Sequence, residues 1–156
     1  MRVLLVAALL AFALPVQAQE KGPMPPKLFA SAAEVDAAIA KARARHKGGN
    51  TVETLANVGI YAWQLEYRTA STPPSVHKAQ AELIYVAGGG CTLITGGTLK
   101  EAKDNGANLA GTAVEGGTPR KITKGDYVLV PPGTPHWYTD VQGEFISIAL
   151  HMPMEP

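Results

Sequence analysis

The stretch Gly125-Asp126-Tyr127-Val128-Leu129-Val130-Pro131-Pro132-Gly133-Thr134-Pro135-His136 ends on one of only four histidines in the chain. An imidazole is the commonest biological metal ligand and a ready proton carrier near neutral pH. Its delivery here follows from simple rules. Gly125 follows a lysine at a tight turn, Asp126 can bond the local backbone, and Tyr127 to Val130 has the composition of a strand. Pro132-Gly133 suits the centre of a type II turn, whose second residue needs a positive φ. The turn sends the chain back, so His136 opens the next strand. Period-two geometry then puts His136, Tyr138 and Asp140 on one face and Trp137 and Thr139 on the other.

A second cluster, Ser75-Val76-His77 followed by Glu82, adds another imidazole and a carboxylate. His77, Glu82 and His136 would suit Fe(II), Mn, Ni or Zn, with open positions for water or substrate. Ser75 is a poor ligand, because a neutral hydroxyl donates weakly, although it could hold a metal-bound water. Taken singly, a histidine on an apolar strand face is more often structural than a ligand, and His-x4-Glu alone is a weak match. Tyr138, through its phenol, is the candidate proton donor or substrate-orienting group. Tyr138, Asp140 and Gln64 are candidates for the pocket wall, with ordinary sheet packing as the alternative. Glu66 and Arg68 could line a polar cavity or form an exposed strand face. His151 would approach the same place if the smaller, more polar face of its strand points inward. His46 is explained by a favourable interaction with a helix dipole.

These two clusters resemble the paired motifs of the cupin family. Residues 125 to 136 match every specified position of the second motif, G-x5-P-x-G-x2-H-x3-N, with Asp140 where asparagine is usual. For the first motif, G-x5-H-x-H-x3-4-E-x6-G, the chain offers His77, Glu82 and Gly89. Ser75 stands where the first histidine belongs. The resemblance runs from about Pro74 to Leu150. It implies an all-β jelly-roll barrel, often a homodimer, with a divalent metal near its centre. Dioxygenase, isomerase, lyase and epimerase chemistry all fall within what it implies.

The elements that would position these residues are legible in outline. Ser31 and Glu34 have the spacing of a capping box, Val35, Ala38, Ile39 and Ala42 mark one narrow face, and Gly48-Gly49 follows a basic last turn. The spacing predicts one helix over about 32–47. Period two takes over from Thr51, most clearly where Tyr61, Trp63, Leu65 and Tyr67 alternate with Ala62, Gln64, Glu66 and Arg68. Further strands are expected at 82–87, 91–95, 120–123, 127–130, 136–140 and 144–151, separated by glycine and proline turns. Short, closely spaced strands argue for a sandwich or barrel carrying one outer helix. Residues 98–118, rich in Gly, Ala and Asn, read as the longest irregular connection, either arching over a barrel mouth or loose on the surface.

Bulk properties narrow the setting. Arg2, the apolar run from Val3 to Leu14, Pro15 and the exit Val16-Gln17-Ala18 read as a secretory signal cleaved after Ala18. The run is well short of the roughly 20 residues a membrane span requires. The expected domains are a signal over 1–18, a proline-rich tether over 19–29, a helical segment over 30–50 and a barrel over 51–152. A periplasmic or secreted location follows, with no membrane attachment of the mature form. Losing Arg2 takes the net charge from +1 to 0, and no basic run remains to attract nucleic acid. The single cysteine, Cys91, cannot form an intrachain disulfide and reads as a small buried hydrophobe. Nucleophile elbows, phosphate-binding loops and paired-cysteine zinc spacings are missing from the sequence.

The expectation is therefore an exported metalloenzyme acting on a small organic molecule. Its rivals are a metal-poor module that only binds a small ligand, which Ser75 favours, and a structural dimer with an empty scaffold.

Overall fold

The computed structural model describes residues 27–154. The expected signal segment and most of the expected tether lie outside the described residues. Among the described residues, no helix is long and apolar enough to cross a membrane.

Helix α1 spans Ala32–Arg45 and starts as its sequence dictates. The Ser31 side chain accepts from the Glu34 backbone N–H, while the Glu34 carboxylate accepts from the Ser31 N–H, so two otherwise orphaned donors are satisfied reciprocally. Ala42 is fully buried, and Val35, Ala38 and Ile39 pack with it against Leu55, Leu65, Tyr67 and Ile146. His46 does more than complement a dipole. Its two ring nitrogens lie 2.8 Å from the hydroxyls of Thr51 and Thr69, which pins the helix exit to the sheet.

Among the described residues twelve strands follow: β1 Thr51–Val58, β2 Tyr61–Arg68, β3 Ser75–His77, β4 Gln80–Thr95, β5 Thr98–Lys100, β6 Lys103–Asn105, β7 Asn108–Ala110, β8 Ala113–Glu115, β9 Thr118–Thr123, β10 Tyr127–Val130, β11 His136–Thr139 and β12 Phe145–Pro153. All pairings are antiparallel. One sheet runs β1-β2-β12-β4-β10 and the other β9-β4-β11-β3-β7-β6. The long β4 belongs to both, so the sheets curl into a jelly-roll barrel.

Two expectations are corrected here. The strands foreseen at 82–87 and 91–95 are a single strand, and the Gly88-Gly89-Gly90 run is its bend, not a turn. Gly89 has φ +68°, and a Cβ there would stand 1.8 Å from the Glu144 carbonyl oxygen, so close approach of β12 requires glycine. The segment 98–118 is not irregular. It folds as the β5–β8 and β6–β7 pairs, and β7 joins the main sheet beside β3.

The barrel has two chemical zones. Ile84, Val86, Cys91, Leu93, Ile122, Val130, Tyr138 and Phe145 fill one end. Cys91 is buried there, and burial pushes its thiol up to about 12, as suits an inert core residue. The polar face of β2 points inward at the other side of this core. Glu66 and Arg68 are buried and paired at 2.9 Å, and the Arg68 guanidinium stacks 4.1 Å above the Tyr138 ring.

Candidate metal centre

Register brings the polar residues together. β11 pairs with β3 so that His136 sits directly opposite Ser75, and His77 lies two residues further along β3 on the same face. From the other sheet, β12 pairs with β4 so that His151 sits opposite Glu82. Antiparallel partners project to the same side, and both residues point into the barrel. Three residues from one sheet therefore face two from the other.

The distances are short. Glu82 Oε2 lies 3.3 Å from His77 Nε2 and 3.5 Å from His136 Nε2. The His77 ring centroid is 5.0 Å from that of His136 and 4.9 Å from that of His151. One ligand atom each from His77, Glu82 and His151 lies within 4.8 Å of the other two. Two donors sharing an ion at about 2.1 Å stand no more than about 4.2 Å apart, so a small ring movement closes the group. Glu82 Oε2 supplies the test of fit: it is buried and makes no hydrogen bond. A buried carboxylate oxygen without a partner costs about 1–3 kcal/mol or more, and a cation is the partner that several surrounding imidazole nitrogens and one carboxylate can share. The donor set fits a divalent ion.

Electrostatics follow from this crowding. Burial opposes charge on Glu82, but the His77 ring 3.3 Å away and the nearby His136 and His151 outweigh it, and the carboxyl lies below its usual range. Burial also opposes charge on His77, yet Glu82 and Asn108 overcome it and raise that imidazole. For His136 burial wins, and its value falls.

A cleft of about 280 Å³ opens over the cluster, lined by Ala62, Gln64, His77, Gln80, Ala107, Asn108 and His151. Gln64 borders this cleft. Tyr138 and Asp140 do not. Tyr138 is packed between Arg68 and Phe145 in the core, and burial raises its hydroxyl well above 10, so it is not at hand as a proton donor to the cleft. Asp140 is exposed because β11 ends at Thr139 and Asp140 takes φ +49°, which breaks the alternation that put it beside His136. Ser75 donates to His136 Nε2 over 3.1 Å. Asn108 was not foreseen as a site residue, since nothing in sequence spacing ties it to His77. A depression of about 390 Å³ on the outer surface, near Arg120 and Leu129, is larger but holds none of the histidines.

The same architecture occurs in solved structures. A cupin domain of Schizosaccharomyces pombe Cnp3 aligns with 67% of this chain at a TM-score of 0.50 and 12% identity. The chain has the cupin fold. An uncharacterised Klebsiella pneumoniae protein with a double-stranded β-helix domain aligns over 69% of this chain and 80% of its own, at a TM-score of 0.52 and 14% identity. KdgF from a Halomonas species aligns over 69% and 81%, at 0.51 and 17%. The match spans 64% of the S. pombe chain. No protein-family model matches the sequence, and no curated protein does. His77, Glu82 and His136, the residues that carry the sequence resemblance, meet inside this barrel, with Ser75 paired opposite His136.

Proposed function

We propose that this chain is an exported cupin metalloprotein that uses one divalent ion, Fe, Mn, Ni or Zn, to act on a small organic molecule entering the cleft. The carrying observation is the orphaned Glu82 Oε2, buried and flanked by imidazoles. A bound ion would polarise a substrate oxygen or activate water. His77 and Glu82 would hold it. Gln64, Gln80 and Asn108 around the cleft both donate and accept hydrogen bonds, which suits an uncharged or weakly charged substrate rich in oxygen. Elemental analysis of protein purified without chelators tests the reading: near-stoichiometric ion is expected. Substoichiometric ion even after loading, with small ligands still raising the melting temperature, would support a binding module instead.

Export and pairing belong to the same proposal. N-terminal sequencing of material from a periplasmic or extracellular fraction is expected to begin after Ala18. A homodimer is supported by the outer face of the first sheet, where Leu129, Leu83, Leu150 and Trp63 stand side by side in register. Leu129 is 59% exposed and Tyr127 69%, and apolar rows of this kind mark association surfaces. Sedimentation at micromolar concentration is expected to give twice the chain mass.

A further inference from the structure

We propose that His151, from the opposite sheet, completes the metal-ligand set with His77 and Glu82, and that Ser75 holds His136 out of it. This inference rests on the metal reading above and specifies which side chains carry it.

Hydrogen-bond inventory separates the three imidazoles. His77 Nδ1 lies 2.8 Å from Asn108 Oδ1, an acceptor only, so Nδ1 carries a proton and Nε2 is the nitrogen turned toward Glu82, 3.3 Å away. A ligating histidine is ordinarily braced in this way through its other nitrogen. His136 is engaged at both ends. Its Nδ1 donates to the Thr134 carbonyl over 3.3 Å, and its Nε2 accepts from Ser75 over 3.1 Å. The lone pair a metal would need is already used. His151 is buried opposite Glu82 and has no side-chain hydrogen bond among the described residues.

Position agrees with this inventory. His77 and His151 both line the cleft, and His136 does not. An ion on His77, Glu82 and His151 would turn its open positions toward the space from which a substrate arrives. The imidazole missing at position 75 is thus replaced from β12, across the barrel.

The test uses the full chain with Co²⁺ and Zn²⁺ as probes. Calorimetric titration with Co²⁺ is expected to show one site in the unmodified protein, weakened at least about tenfold in His151→Gln and in His77→Gln, and changed less than about threefold in His136→Gln. Loss of the site in His136→Gln with retention in His151→Gln would overturn the inference, as would equal loss in both. Absence of Co²⁺ binding by the unmodified protein would instead sink the metal reading itself. A readout independent of folding in the variants is the ¹⁵N-histidine spectrum of unmodified protein with Zn²⁺. The His77 and His151 nitrogens are expected to move and those of His136 to stay. Movement of His136 with His151 unchanged would contradict the assignment.

Discussion

His77 donates its Nδ1 proton to the Asn108 side-chain carbonyl over 2.8 Å, and that bond turns the opposite nitrogen toward Glu82. The donor and its acceptor face each other across the β3–β7 pairing, in a segment whose sequence reads as an irregular connection. Ordering that segment is what fixes the tautomer of a candidate metal ligand.

Asn108→Ala should therefore lower divalent-metal affinity by about 10–100-fold while leaving the fold intact. Calorimetric titration with Co²⁺ beside a thermal melt checks both halves. An affinity unchanged from the unmodified protein would mean that the brace is incidental.

Arg68 is buried with Glu66 and stacked on Tyr138. Burial works against its charge, and Glu66 and Tyr138 more than compensate. Arg68→Met strands the Glu66 carboxylate in the barrel and should destabilise the protein by about 3–5 kcal/mol. The double change Glu66→Gln with Arg68→Met should recover much of that loss. Urea unfolding of the three proteins decides, and equal stability of the single and double variants would refute the pairing argument.

Gly89→Ala should be among the most damaging single changes, at about 3 kcal/mol or more. The added methyl collides with the Glu144 carbonyl, and φ +68° disfavours any side chain. Gly143→Ala, with φ +73° but open space at the Cβ position, should cost about 1 kcal/mol. Comparable denaturation midpoints for the two would show that steric closeness of β12 is not what Gly89 provides.

The helix is tied to the barrel by a fork from Arg43 to Glu144, at 2.9 and 2.5 Å. The guanidinium holds the Glu144 carboxyl below its ordinary 4.5. A carboxylate depressed on folding stabilises the native state above its unfolded value, and the benefit disappears as pH falls through the folded value. Both side chains reach solvent, which screens the pair, so its contribution at neutral pH is small. Glu144→Gln should be slightly less stable than the unmodified protein at pH 7, with the gap closing in strong acid. A gap independent of pH would assign the effect to packing.

The fold was legible where local chemistry is decisive. The capping box at Ser31 and Glu34, the Asp126 carboxylate accepting from the Thr123 N–H over 2.7 Å and the positive φ of Gly133 are consequences of residues a few places apart. The gathering of His77, Glu82 and His136 could be anticipated only through resemblance to a family motif. Long-range register was not legible. His151 meets Glu82, and Asn108 meets His77, because of strand pairings between segments far apart in the chain. The inward turn of Glu66 and Arg68 was one of two readings, because alternation marks two faces without saying which is the core. Tyr138 and Asp140 were misplaced for opposite reasons. The barrel is packed deeper than the strand pattern can indicate, and the strand ends one residue before Asp140.

The central claim is that Glu82 anchors a divalent ion at the mouth of this barrel. Equilibrium dialysis of the full chain against Co²⁺, beside Glu82→Gln, tests it most directly. One ion per chain in the unmodified protein and none in the variant is the predicted result; no ion in either, or equal uptake by both, would contradict it.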